Sequence, residues 1–151
     1  GDAVVIGFGG EFRGVGYQAD TTRTVAVKSI PEGFSEIYDL CLRANQAAFA
    51  AAKPGVPCYE VDRAARKVIA EGGYGAFFTH RVGHGLGLDV HEHPYMAEGN
   101  GSLIREGNVF SNEPGIYLPG KYGVRIEDQL YVGPQGAERL TPLDHTLKIV
   151  D

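Results

Sequence analysis

Apolar positions along the chain follow two different periods. Ala3-Val4-Val5-Ile6 is a β-branched run bounded by glycines and reads as a buried strand. Gly9-Gly10 and Gly14 to Gly16 punctuate the turn region that follows. Tyr17 to Val27 is rich in Thr and Val and reads as a second strand, so the two predict a hairpin with an irregular connection. After Pro31 the period changes. Phe34, Ile37, Tyr38, Cys41, Ala44, Ala48 and Ala51 recur at helical spacing in a segment running through Lys53, and its alanines favour helix further. Pro54-Gly55 ends it. Tyr59 to Ala70 predicts a second amphipathic helix, with Val61, Ala65, Val68 and Ile69 on one side and Gly72-Gly73 as the stop.

Phe77 to Asn100 is rich in Gly and His and poor in periodicity, the pattern of a functional loop with short strand pieces. Three strand-like stretches follow: Asn108 to Leu118, Gly123 to Val132, and Ala137 to Leu140. Strands, two helices, then strands argue for an α+β fold rather than a doubly wound sheet. A length of 151 residues is enough for one domain with a hydrophobic core.

Composition excludes some function classes. Apolar residues make up 43% and charged residues 22%, as in ordinary globular proteins. A net charge of -5 disfavours nucleic acid as a main partner and gives no support for attachment to an anionic membrane. No apolar run reaches the roughly 18 residues of a membrane span. Cys41 and Cys58 make neither a CxxC pair nor a disulfide framework and read as reduced thiols of a cytoplasmic protein. The chain opens at Gly1-Asp2, directly before a strand, so we expect a segment of a longer protein.

Candidate chemistry concentrates in four places. Asp20 sits inside a Thr-rich strand, where Asp is disfavoured; alone it also reads as an ion-pair partner of Arg23. His80, His84 and His91 fall within twelve positions, and Gly83, Gly85 and Gly87 among them allow close approach of backbone to a ligand. Glu113 and Glu127 lie in strand-like runs whose apolar neighbours predict burial. A buried carboxylate is costly unless paired or bound to metal. Arg125 is the nearby cation, and one Arg cannot neutralise Asp20, Glu113, Glu127 and Asp128 together. One imidazole with several carboxylates suits Mn, Co, Zn or Fe(II). Such an ion lowers the pKa of bound water and polarises a carbonyl, as amide hydrolysis requires.

In order, the chain carries Gly-Tyr-x-x-Asp-x-Thr-Arg-Thr, His-x-x-x-His-Gly-x-Gly-x-x-x-His-Glu, Asn-Glu-Pro-Gly-x-Tyr and Gly-x-Arg-x-Glu-Asp. This set resembles the Xaa-Pro dipeptidase and aminopeptidase P branch of the pita-bread metallopeptidases, over nearly the whole chain. The resemblance implies that residues 1–151 are the C-terminal part of a catalytic domain whose N-terminal half lies outside this sequence. It implies Asp20, His84, Glu113 and Glu127 as metal ligands, with Mn the first expectation. Glu113 would also act as acid/base, His91 would stabilise the tetrahedral intermediate, His80 would line the substrate pocket, and Arg125 would hold the carboxylates in place. The implied substrate has proline after the scissile bond, and a homodimer of the full-length protein is compatible. The 151 residues alone are expected to have little or no activity.

One departure from the pattern stands out. Where the family has Val-Ile-Asp-Phe-Gly-Gly, this chain has Val5-Ile6-Gly7-Phe8-Gly9-Gly10, and the connection to Asp20 is two residues longer. The absent Asp chiefly serves one of two metals in the family, so Gly7 predicts one sound metal position and a weakened second. Two other readings follow: a pita-bread module that binds peptides or partners without hydrolysis, and a metal-free, creatinase-like amidinohydrolase. Retention of Asp20, His84, Glu113 and Glu127 argues against both.

Overall fold

The computed structural model describes all 151 residues. Strands β1 (Asp2–Glu11) and β2 (Gln18–Val27) form an antiparallel hairpin. β1 runs five residues past Ile6, because Gly7 to Gly10 stay extended and remain in register with β2. Gly14 and Gly16 turn the chain at φ of 90° and 78°, a region that glycine enters without steric cost. Helices α1 (Phe34–Ala51) and α2 (Cys58–Glu71) follow, close to their predicted bounds.

The remaining strands are short. β3 (Gly83–Gly85), β4 (Glu92–Met96), β5 (Val109–Asn112), β8 (Asp128–Gly133) and β9 (Gly136–Arg139) make a five-stranded sheet in the order β4-β3-β5-β8-β9. β6 (Gly115–Leu118) and β7 (Tyr122–Arg125) make a separate two-stranded ribbon. β10 (Lys148–Val150) runs parallel to β2 and completes a three-stranded sheet in which β1 is one edge. The α+β order read from the sequence is the order observed. No helix is long and apolar enough to cross a membrane.

Two predicted strands are each split. Asn108 to Leu118 breaks at Glu113-Pro114, and Gly123 to Val132 breaks at Ile126-Glu127. Pro114 has no N–H for a ladder, which ends the pairing there, and its carbonyl accepts the N–H of Ile126 at the other break. At both breaks the chain passes between the ribbon and the five-stranded sheet. Glu113 and Glu127 therefore stand at crossing points, not in strand interiors.

The core lies between the two helices and the strands. Phe34, Ile37, Cys41, Ala44 and Ala48 of α1 and Val61, Ala65 and Ile69 of α2 meet Phe110, Ile116, Val124, Ile126, Leu130 and Val132. Burying each large aliphatic or aromatic side chain among them contributes roughly 1.5–3 kcal/mol. The outward face of β1 is different: Val4, Ile6 and Phe8 are 41%, 43% and 51% exposed.

One polar side chain links the layers. Asn45 of α1 is fully buried, and its amide donates to the carbonyls of Asn112 and Ile126 at 3.2 Å each, while Asn112 donates back to the Asn45 carbonyl at 2.8 Å. These bonds tie the helix to the residues just before Glu113 and Glu127. Asn45→Ala removes a buried amide that donates to two carbonyls and is expected to cost about 2–4 kcal/mol in urea unfolding; a loss under about 0.5 kcal/mol contradicts this role.

Candidate metal centre

The hairpin and the five-stranded sheet meet where Thr22 bridges Glu127. The Glu127 N–H donates to the Thr22 carbonyl at 3.0 Å, and its carbonyl accepts the Thr21 hydroxyl at 2.9 Å. Side chains alternate along a strand, so Asp20 and Thr22 share a face of β2 and Arg23 points away. The Thr22 hydroxyl donates to Glu127 Oε2. From the other side, His84 projects from β3. Its Nδ1 engages the Gly85 carbonyl at 3.1 Å, which leaves Nε2 facing Glu113 Oε1 at 3.2 Å. Ser111 fixes this pair, accepting the His84 N–H at 3.0 Å and donating to Glu113 at 3.1 Å.

Ligand atoms of Asp20, His84 and Glu127 lie within 4.8 Å of one another. Glu127 is 2% exposed and its Oε1 has no hydrogen-bond partner. Burial and the neighbouring charges of Glu113 and Asp20 push its carboxyl up to about 7, against the Thr22 hydrogen bond. Burial opposes charging His84, yet the Glu113 hydrogen bond and the Gly85 carbonyl outweigh it and hold the imidazole above its usual range. Burial likewise opposes ionising Glu113, but the His84 contact holds its carboxyl below the usual range. The shifts of Glu127 and His84 favour a proton on each, which offsets the mutual repulsion of the neighbouring acids. One imidazole nitrogen and three carboxylates, one of them with an orphaned buried oxygen, fit a divalent cation.

Beside the cluster is a cavity of about 150 Å³ lined by His80, Arg81, His91, Glu113 and Arg125. The His91 ring stands 4.1 Å from that of His84, and His80 Nε2 meets the Tyr117 hydroxyl at 2.9 Å. Arg125 makes no ion pair with a carboxylate. Its Nε donates to Thr22 Oγ1 at 3.1 Å, so it supports Glu127 through Thr22 rather than directly. The expected alternative pairing of Asp20 with Arg23 does not form. Arg23 instead meets Asp128 at 2.7 Å, and Arg139 and His145 reach the same carboxylate at 3.2 and 2.9 Å.

The model of metallopeptidase family M24 matches residues 1–134. The chain belongs to this family. It is 47% identical over 135 residues to the Xaa-Pro dipeptidase of Lactobacillus helveticus, covering 89% of this chain and 37% of that protein. Its fold matches dipeptidase PepE of Mycobacterium ulcerans with a TM-score of 0.95 and 42% identity, over 98% of this chain and 40% of the other. The X-Pro aminopeptidase of Thermotoga maritima gives a TM-score of 0.94 and 42% identity, over 98% and 42%. The chain therefore has the pita-bread fold and spans about two-fifths of the length of these M24 relatives.

Every residue assigned from the M24 motifs lies at the cluster or its cavity. Thr22, Ser111 and Tyr117 were missed. Thr22 is two residues from Asp20 and Ser111 two from Glu113, so the period of a strand places each near its acid. Tyr117 belongs to a motif quoted above but had no assigned role.

The titrations give a signed expectation. A carboxyl raised from 4.5 to about 7 makes the folded state bind more protons, so stability present at low pH is lost as pH rises through that window. The raised His84 acts in the same direction at higher pH. Metal-free protein should lose about 3 kcal/mol from Glu127 between pH 5 and 8, and Glu127→Gln should remove that loss. Urea melts with chelator across this range measure it; parallel curves for the two proteins contradict the assignment.

Proposed function

We propose that the protein to which this chain belongs is a metal-dependent exopeptidase that hydrolyses Xaa-Pro bonds. The observation that carries the reading is the convergence of Asp20, His84 and Glu127 within 4.8 Å, with Glu113 in contact and a histidine-lined cavity beside them. Relatives named Xaa-Pro dipeptidase support the substrate class. A divalent cation held by Asp20, His84, Glu113 and Glu127, with Mn the first candidate, supplies Lewis acidity toward water and the scissile carbonyl. Glu113 takes a proton from the attacking water and returns it to the departing proline nitrogen, a role consistent with its ionised state. His91 donates to the developing oxyanion. His80 contacts substrate across the cavity, held by Tyr117. Two buried free thiols suit a cytoplasmic setting.

Gly7 bears on how many ions the site takes. A Cβ there would sit 3.0 Å from Arg125 Nη2 and 3.4 Å from Thr22 Oγ1, so position 7 faces the cluster and lacks a ligand for it. We read the protein as holding one metal firmly.

Full-length protein assayed on a Xaa-Pro dipeptide, with and without Mn, should hydrolyse it only with metal. Binding without turnover favours the non-catalytic module instead. His84→Ala should remove most bound metal by elemental analysis, and full retention of metal and activity overturns the ligand set. Gly7→Asp should raise metal content, because the neighbours it meets are a flexible guanidinium end and a hydroxyl; equal content in both proteins rejects the one-metal reading.

A further inference from the structure

Helix α2 reaches into the metal centre's substrate side through one ion pair. Asp62 is fully buried, and Arg66, one turn later, chelates it at 2.9 and 3.2 Å. The pair is not self-contained. Asp62 Oδ1 accepts the Val82 N–H at 2.8 Å. Arg66 Nη1 donates to the Phe78 carbonyl at 2.9 Å and Nη2 to the His80 carbonyl at 2.8 Å, and its guanidinium lies 4.3 Å above the Phe78 ring.

These contacts define an irregular segment, Phe78 to Val82, with no strand or helix of its own. Buried backbone groups in such a segment need partners from elsewhere, and here two side chains supply three of them. His80 sits at the middle of the segment. Its ring is fixed at both nitrogens, Nδ1 by the Arg81 carbonyl at 2.7 Å and Nε2 by the Tyr117 hydroxyl at 2.9 Å, and packs edge-on to Phe78. His84, by contrast, is anchored by Ser111 and Gly85, neither of which touches the ion pair.

We propose that Asp62 and Arg66 are positioning residues for His80: Arg66 sets the backbone at Phe78 and His80 and thereby the substrate wall, while Asp62 holds Val82, whose carbonyl accepts the Glu113 N–H at 2.8 Å. This rests on the reading of His80 as a substrate contact. A bidentate guanidinium is geometrically specific, so lysine should replace it only in part.

The test uses full-length, metal-loaded protein. Arg66→Met should raise KM for a Xaa-Pro dipeptide about tenfold, with Mn affinity unchanged within about twofold; Arg66→Lys should fall between. In a His80→Ala background, Arg66→Met should have no further effect on KM, since the pair acts through His80. A change in thermal stability with unchanged KM overturns the proposal, as does a parallel loss of Mn affinity or simple additivity with His80→Ala. The 15N signals of the His80 ring provide a readout independent of turnover. They should report loss of the fixed tautomer in Arg66→Met, and an unchanged signature refutes positioning. If wild-type protein cleaves no Xaa-Pro dipeptide, the functional reading fails, while the ring signals still decide whether Arg66 holds His80.

Discussion

Glu127 is held by β2 at its amide, its carbonyl and its carboxylate, all through Thr21, Thr22 and Arg23. This joint is where the hairpin sheet meets the five-stranded sheet, and it is also where the acidic cluster forms. A buried carboxylate with an unpartnered oxygen works against folding. The fold tolerates one here because the surrounding groups can share a cation, or protons in its stead. The contacts that join the two sheets are thus the same ones that hold the Glu127 carboxylate. Whatever loosens Glu127 loosens both the joint and the cluster.

Consecutive acids at this joint have opposite fates. Asp128 is fully buried, yet Arg23, Arg139 and His145 surround its carboxylate. Glu127, one residue earlier, faces the other way toward Asp20 and Glu113 and receives only a hydroxyl. Alternation along the chain separates them: Asp128 meets three basic side chains on one side of the joint, and Glu127 meets two acids on the other. The ion cluster around Asp128 braces the strand from the rear, which keeps the Glu127 carboxylate in place without an ion pair of its own.

Much of this was legible in the sequence, for physical reasons that differ by region. The two helices were readable because a 3.6-residue period persists over several turns and Pro or Gly ends each. Asp20 was readable as an acid inside a Thr-rich strand, His84 as an imidazole in a glycine-rich segment, and Glu113 and Glu127 as acids among apolar neighbours. The strand breaks were not readable. Apolar residues continue through Glu113-Pro114 and Ile126-Glu127, and a change of sheet leaves burial on both sides of the crossing. β10 was missed because three exposed residues pair in parallel with a strand more than a hundred positions away. The resemblance placed Arg125 behind the carboxylates; the fold interposes Thr22 between it and Glu127, which no spacing along the chain reveals. Arg66 carried no signal at all: an i,i+4 pair on a helix reads as surface decoration until the loop it holds is seen.

The outward face of β1 has a practical consequence. It is a long edge strand with exposed Val4, Ile6 and Phe8 in alternation, and neither a charge nor a proline interrupts that run. Such an edge offers unpaired backbone groups next to an apolar stripe, a template for strand addition by any chain that meets it. Prepared as a separate polypeptide, residues 1–151 would carry that template uncovered. Their solubility on concentration, rather than the strength of their core, would then limit how they can be handled.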